Sequence, residues 1–202
     1  MSYDAETLAY YEKAAPHYRA SSAEDRHRLL DPFLDLLEPG ACILELGCGT
    51  GRDAAHMVAR GFEVDATDGS KAMVRKANER HGIGARVMRF DELEAENGYY
   101  AIWAHASLHH LPRADLPPAL DAVHRALRPG GLHFANYKLS DFDHPEEGRD
   151  TSGRWASLPS PEWLDTIYGQ AGFTIAEKHP YRTGSSDGTR RDWLGLFAQK
   201  RP

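Results

Sequence analysis

The residues of this chain that could do chemistry gather at a few points. Gly47, Gly49 and Gly51 recur on alternate positions within Glu45-Leu46-Gly47-Cys48-Gly49-Thr50-Gly51. Glycines so spaced describe a backbone that turns sharply and lets another molecule come close. Glu45 stands two residues before the first glycine, badly placed for a pyrophosphate but well placed near an amino group or a cation. Asp68 lies 21 residues after Gly47. A carboxylate at that spacing can accept both hydroxyls of a ribose, as an adenosine-bearing cofactor requires. Further on, His105, His109 and His110 crowd the stretch Trp103-Ala104-His105-Ala106-Ser107-Leu108-His109-His110. His109 or His110 could orient or deprotonate a reacting group, or could merely cap a helix or pack. Three histidines can also bind zinc. Here His105 and His109 would match only in a helix, and the stretch runs between a strand and Pro112, so no metal is expected.

Alternating strands and helices must hold these residues. Ala41 to Leu46 reads as strand one and Arg52 to Arg60 as the helix after it. Phe62 to Thr67 is strand two, ending in Asp68. Ser70 caps a helix through Met73, Val74 and Ala77. Ala85 to Phe90 is strand three, ending in Asp91, and Tyr99 to Ala104 is strand four. A helix within Pro112 to Leu127 runs into Arg128-Pro129-Gly130-Gly131, a firm stop. Leu132 to Tyr137 is strand five, with Asn136 and Tyr137 expected to face the crevice. Lys138 to Pro159 reads as a long polar connection carrying Asp141, Asp143, Glu146, Glu147 and Asp150; such length suggests function or mobility. Ser160-Pro161-Glu162 opens a last helix. Phe173 to Glu177 and Asp192 to Gln199 are strands six and seven, an antiparallel hairpin around the turn-rich Thr183 to Thr189. Repeated βα units imply an α/β fold with a doubly wound parallel sheet. Its ligands sit beyond the carboxyl ends of the strands. Residues 1–40 are helical and set apart from 41–202. Their tyrosines, Tyr3, Tyr10, Tyr11 and Tyr18, either pack a helix onto the domain or close a lid over a ligand.

The glycine spacing is G-x-G-x-G, not the dinucleotide pattern G-x-G-x-x-G. Leu44-Glu45-Leu46-Gly47-Cys48-Gly49-Thr50-Gly51 resembles motif I of the class I S-adenosylmethionine-dependent methyltransferases. The resemblance extends from about Ile43 to Gln199. It takes in Asp65-Ala66-Thr67-Asp68-Gly69-Ser70, the Phe90-Asp91 pair and Leu127-Arg128-Pro129-Gly130-Gly131. It is nearest to the small-molecule enzymes of the class, those like quinone-biosynthesis methyltransferases. The resemblance implies a Rossmann-like seven-stranded sheet of order 3-2-1-4-5-7-6 with strand seven antiparallel. It also implies S-adenosyl-L-methionine as cofactor, S-adenosyl-L-homocysteine as product and methyl transfer to a small molecule. Gly47, Cys48 and Gly49 would hold the methionine part, with Glu45 in support, and Asp68 the ribose. Gly69, Ser70 and Met73 would flank the adenine, and Asp91 with the Phe90 backbone would meet its amino group. Ala104 and His105 would line the reactive end, and Tyr18 would belong to the cofactor side of the lid. Apart from the resemblance, Trp155, Arg182 and Arg190 could contact substrate, or the two arginines could simply be solvated at the surface.

Composition bounds the remaining possibilities. The chain has 202 residues, 41% hydrophobic and 27% charged, with a net charge of −6. That suits one soluble globular domain, and the acidic balance argues against nucleic acid or an anionic membrane as partner. Amino-methylating nucleic-acid enzymes of the class carry an Asn/Asp-Pro-Pro-aromatic motif after strand four, which this chain lacks. Cys42 and Cys48 are six residues apart on an extended segment, where a disulfide would be strained, so reduced thiols and a cytoplasmic location are expected. The first ten residues do not read as a signal peptide. Two other functions stay open at this point. One is a cofactor-binding sensor or partner subunit without chemistry. The other is a nicotinamide-dependent oxidoreductase, disfavoured by the glycine spacing and by the little chain left for a second domain.

Overall fold

The computed structural model describes residues 3–18, 28–140, 146–184 and 190–201. Asp141, Asp143 and residues 185–189 of the expected turn-rich loop lie outside them. Helix α1, Ala5–Ala14, starts where the Asp4 carboxylate accepts the Thr7 N–H, and a 3-10 turn, Ala15–His17, extends it. A short α2, Leu30–Leu34, precedes β1, Cys42–Leu46. The βα repeat then runs α3, Arg52–Ala59; β2, Glu63–Asp68; α4, Lys71–His81; β3, Arg86–Val87; β4, Tyr99–Ala104; α5, Leu116–Ala126; and β5, Leu127–Lys138. A small hairpin, β6 Glu147–Arg149 and β7 Trp155–Ser157, comes next. Helix α6, Pro161–Gln170, leads to a long terminal hairpin, β8 Phe173–Gly184 and β9 Arg190–Lys200.

The seven-stranded sheet has the order β3-β2-β1-β4-β5-β9-β8. All pairs from β3 to β5 are parallel, and β9 runs antiparallel between β5 and β8. With the small hairpin left out of the count, this is the order 3-2-1-4-5-7-6 expected from the sequence. Alternation along each strand sorts the core into two layers. Leu44, Leu46, Ile102 and Ala135 pack under α5 and α6, while Ile43, Ala101, Trp103 and Phe134 pack under α2 and α3. Phe33 of α2 is fully buried against Trp103, Phe134 and Phe197. The second helical stretch therefore serves the sheet, whereas α1 rests on α4 through Ala15, Ala72 and Met73.

Three expectations are corrected. Strand three was expected over Ala85 to Phe90 but pairs only at Arg86–Val87, because Phe90–Glu92 curls into a 3-10 turn whose Glu92 carboxylate caps the Arg89 N–H. The 138–159 connection contains the β6–β7 hairpin, closed by Asp150 accepting the N–H groups of Ser152 and Arg154. Strand five begins at Leu127 instead of Leu132. The Arg128–Gly131 stop survives as a register shift, with Tyr99 opposite Leu127 and Ala101 opposite Leu132.

His133 lies fully buried on the α6 side of β5, stacked on Tyr168, with its Nδ1 proton donated to the Ile102 carbonyl. Burial pushes it down to about 4, so it folds neutral. Unfolding restores a group that titrates near ~6.5 and takes up a proton. Stability from His133 is therefore complete above about pH 6.5 and is lost as pH falls towards 4, at ~1.4 kcal/mol per pH unit. Chemical unfolding of His133→Phe between pH 6.5 and 4 should show a pH slope shallower by that amount; an unchanged slope would mean the ring charges in place.

Candidate active site

Beyond the carboxyl ends of β1, β2 and β4 the chain encloses a cavity of about 850 Å³. Its floor is the turn after β1. Gly47, Gly49 and Gly51 all have positive φ, at 82°, 54° and 78°. At Gly47 the need for glycine is also spatial, since a Cβ there would stand 2.5 Å from the Ser107 Cβ. The turns after β1 and β4 thus touch through a missing side chain. The turn is tied to β2 as well. The N–H groups of Gly47 and Cys48 donate to the Thr67 carbonyl, and Asp68 accepts from Gly49 N–H and Ser70 N–H, each at 2.8 Å. Burial raises the Asp68 carboxyl, and these two backbone donors work against that rise.

Glu45 points its carboxylate into the same floor with 3% exposure, and its Oε2 has no hydrogen-bond partner among the described residues. Burial, then the charges of Asp53 and Asp68, push its carboxyl well above the ordinary range. A cation placed beside it would be strongly favoured. Asp53, in the first turn of α3, is the best-satisfied acid nearby. Its Oδ2 accepts from His105 Nδ1 at 2.9 Å and Trp103 Nε1 at 3.2 Å, and its Oδ1 from Arg52 at 3.1 Å. Burial alone would raise Asp53; hydrogen bonding and charge from His105 and Arg52 outweigh it and hold the carboxyl well below the usual range. The carboxylate assigns the His105 ring proton to Nδ1 and leaves the basic lone pair on Nε2. The next residue, Ala106, takes φ 51°, and its N–H donates to Asn136 Oδ1 at 2.5 Å, so the loop after β4 is fixed from both sides.

His109 and His110 face different surroundings. His110 donates from Nδ1 to the Trp155 carbonyl at 2.6 Å and meets the Tyr11 hydroxyl at Nε2, 2.9 Å away. Both ring nitrogens are engaged, and burial pushes the group down to about 4. His109 is 2% exposed, its Nδ1 has no hydrogen-bond partner among the described residues, and burial, then nearby His110, Lys138 and Arg154, hold it well below its ordinary value. Around them α1 is latched down. Asp4 forms a two-point ion pair with Arg149, Thr7 Oγ1 accepts the Trp155 N–H, and Arg154, held by Asp150, donates to the Tyr11 hydroxyl. Among the described residues no group of three or more His, Cys, Asp or Glu side chains is gathered to hold a metal.

Of the candidates read from the sequence, the cavity wall brings together Tyr18, Glu45, Gly47, Cys48, Gly49, Asp68, Gly69, Met73, Phe90, His105, His109 and His110. Ser70, Asp91 and Ala104 are not on it. Ser70 caps α4, Asp91 pairs with Arg89 at 3.0 Å, and Ala104 turns to the opposite core layer. Asn136 lines the cavity, but Tyr137 does not: it is buried against Tyr168, hydroxyl to hydroxyl at 2.9 Å. Period-two alternation pairs Asn136 with Lys138, which does line the wall, and should have pointed there. Arg182 is on the wall, whereas Arg190 and the Trp155 side chain are not. Asp53, Lys138, Arg154 and Trp193 were missed. Asp53 resembles any acid in a first helical turn, and nothing local marks Arg154.

Glycine turn, ribose-spaced acid and strand order define a doubly wound nucleoside-binding fold with a cavity beneath α1. Comparisons narrow this further. A family described as "Methyltransferase domain" matches residues 43–131. An uncharacterized methyltransferase of Synechocystis is 28% identical over 163 residues, 74% of each chain. A trans-aconitate 2-methyltransferase of Deinococcus radiodurans is 31% identical over 128 residues, 62% of this chain and 46% of that protein, so the chain spans under half its length. The fold matches a Burkholderia thailandensis 1,6-didemethyltoxoflavin-N1-methyltransferase solved with S-adenosylhomocysteine, with TM-score 0.76 and 20% identity over 98% of this chain and 86% of that one. These likenesses support a class I S-adenosylmethionine-dependent methyltransferase, an enzyme that uses S-adenosyl-L-methionine for methyl transfer.

The contact at Gly47 generates a test. Gly47→Ala should lower stability in urea by ~2 kcal/mol, from left-handed strain plus the clash. It should also abolish S-adenosylhomocysteine binding by calorimetry. Adding Ser107→Gly, which vacates the contacted atoms, should recover part of both; no recovery would place the defect elsewhere.

Proposed function

We propose that this cavity transfers a methyl group to a small-molecule acceptor, with the acceptor's proton taken by His105. The observation that carries this reading is the Asp53–His105 pair beside the Glu45 floor. Fit to the cofactor is supported by the orphaned Glu45 Oε2, suited to an ammonium group, and by a Cβ-free cradle at Gly49, where a side chain would enter open space. In this reading Glu45, Gly47, Cys48 and Gly49 hold the methionine part, Asp68 the ribose, and Gly69, Met73 and Phe90 the adenine side. When bound, S-adenosylmethionine supplies an electrophilic methyl carbon. His105 accepts a proton at Nε2 from an acceptor hydroxyl or N–H, and Asp53 holds the ring and stabilises the charge it gains. His110 orients Tyr11 instead of titrating, since both of its nitrogens are engaged.

The lid in this reading is α1 with Tyr18, a narrower segment than residues 1–40. Its support is the latch through Asp4, Thr7 and Tyr11, which holds α1 over the cavity. A roofed cavity near the upper end of the small-molecule range suits a small acceptor and not nucleic acid. The names of the Deinococcus and Burkholderia proteins, for trans-aconitate and 1,6-didemethyltoxoflavin, support the same size class. Among the described residues no helix is long and apolar enough to cross a membrane. Cys42 and Cys48 are free thiols, which supports a reducing, cytoplasmic compartment.

Calorimetry should detect binding of S-adenosylhomocysteine and none of NADH. Asp68→Ala should weaken that binding at least tenfold, ~1.4 kcal/mol; unchanged affinity removes Asp68 from the site. His105→Gln should leave nucleoside affinity within about twofold while lowering turnover ~100-fold, with Asp53→Asn between it and wild type. Turnover that survives His105→Gln would sink the assignment of the base.

A further inference from the structure

The cavity wall formed by β5, β9 and β8 suggests a second subsite, an assignment that rests on reading the cavity as a methyl-transfer site. Lys138, Trp193 and Tyr181 occupy one row across β5, β9 and β8, since Lys138 pairs with Trp193 and Trp193 with Tyr181. All three line the cavity. Lys138 is only 5% exposed, and its Nζ lies 5.5 Å from the Trp193 ring centre. The same ring meets His109 edge-on, at 5.4 Å and 89°. Two buried polar atoms in this corner, Trp193 Nε1 and His109 Nδ1, have no hydrogen-bond partner among the described residues. An indole N–H can only donate, so it requires an acceptor atom. Asn136, the other cavity-facing residue of β5, donates to the Tyr181 hydroxyl at 2.7 Å and keeps that side chain in the row.

At the glycine-turn end the cations on the wall, Arg52 and Arg89, are paired with acids, Arg52 with Asp53 and Arg89 with Asp91 and Glu92. The cavity wall carries four carboxylates, of which Glu45, Asp53 and Asp68 lie at the glycine turn and α3, and Asp4 pairs with Arg149. The Lys138 corner carries positive charge beside orphaned ring nitrogens. We propose that this corner receives a carboxylate of the acceptor, with Lys138 supplying the charge and the Trp193 N–H and His109 ring nitrogen supplying hydrogen bonds. The acceptor is then a small acid whose nucleophilic hydroxyl or N–H is a separate group presented to His105. His109 acts here in binding and does not take the reacting proton.

The probes are sodium benzoate and benzamide, equal in shape and different in charge, titrated by ligand-observed NMR with and without S-adenosylhomocysteine. Benzoate should bind at least tenfold more tightly than benzamide. Lys138→Met should abolish that preference, and Trp193→Phe, which keeps the ring and removes the donor, should reduce it several-fold with nucleoside binding retained. Benzoate binding no tighter than benzamide, binding by neither, or a preference that survives Lys138→Met overturns the assignment. The two readings fail separately. A wild-type protein that does not take up S-adenosylhomocysteine refutes methyl transfer, whereas the benzoate preference is read on the same wall without the nucleoside.

Discussion

One half-buried carboxylate holds two strand ends in register. Asp68 gives one oxygen to the Gly49 N–H and the other to the Ser70 N–H, both at 2.8 Å. Removing a carboxylate from water is costly unless donors replace the solvent, and ionic hydrogen bonds to backbone N–H groups are the strong kind. The arrangement fixes the glycine turn after β1 relative to the start of α4 before any ligand binds. Ser70 can then cap α4, and Met73 in its first turn becomes both cavity wall and packing surface for α1. The loop after β4 closes against the same turn at Gly47. Three strand ends are therefore mutually located by one carboxylate and one absent side chain.

Much of this frame is local and so was legible in the chain. Ser70 and Ser160 cap their helices as their positions imply, and the alternation of β1 and β4 sets their two faces. Strand order followed from the repeated βα units and the resemblance at motif I. The errors fall where tertiary contacts decide. Strand three shortened because an edge strand has one partner and its exit is captured by the Arg89–Glu92 cap. The β6–β7 hairpin is held mainly by α1 and by the His110 segment, contacts more than forty residues away in sequence that no local pattern announces. Asp53 belongs to this class too. It becomes a site residue only because Trp103 and His105, fifty and fifty-two positions later, converge on it.

The histidines show how surroundings set roles in a short segment. His105, His109 and His110 lie within six residues, yet each meets a different environment. A carboxylate engages the first at Nδ1 and fixes the orientation of its ring. A carbonyl and a phenol saturate the third, which favours the neutral ring and gives it a structural duty. The second is buried among positive charge and aromatic rings, where taking up a proton is opposed from several sides. Spacing alone treats these side chains as equivalent; burial and partner chemistry separate them.

The terminal hairpin explains why the cavity has two ends of unlike character. Parallel strands end together, and their carboxyl ends offer turns, backbone N–H groups and acids suited to a nucleoside. The strands β8 and β9, at 12 and 11 residues, are about twice as long as β1, β2 and β4, at 5 and 6. With β9 paired antiparallel to β5 and β8 paired antiparallel to β9, they run past the parallel strand ends and add a wall that the βα repeat cannot supply. Lys138, Trp193 and Tyr181 are rungs of that extension. An enzyme that must hold a fixed cofactor and a particular acceptor gains from this division: the repeat fixes one end, and the hairpin can vary in side chains at the other without disturbing Asp68 or Gly47.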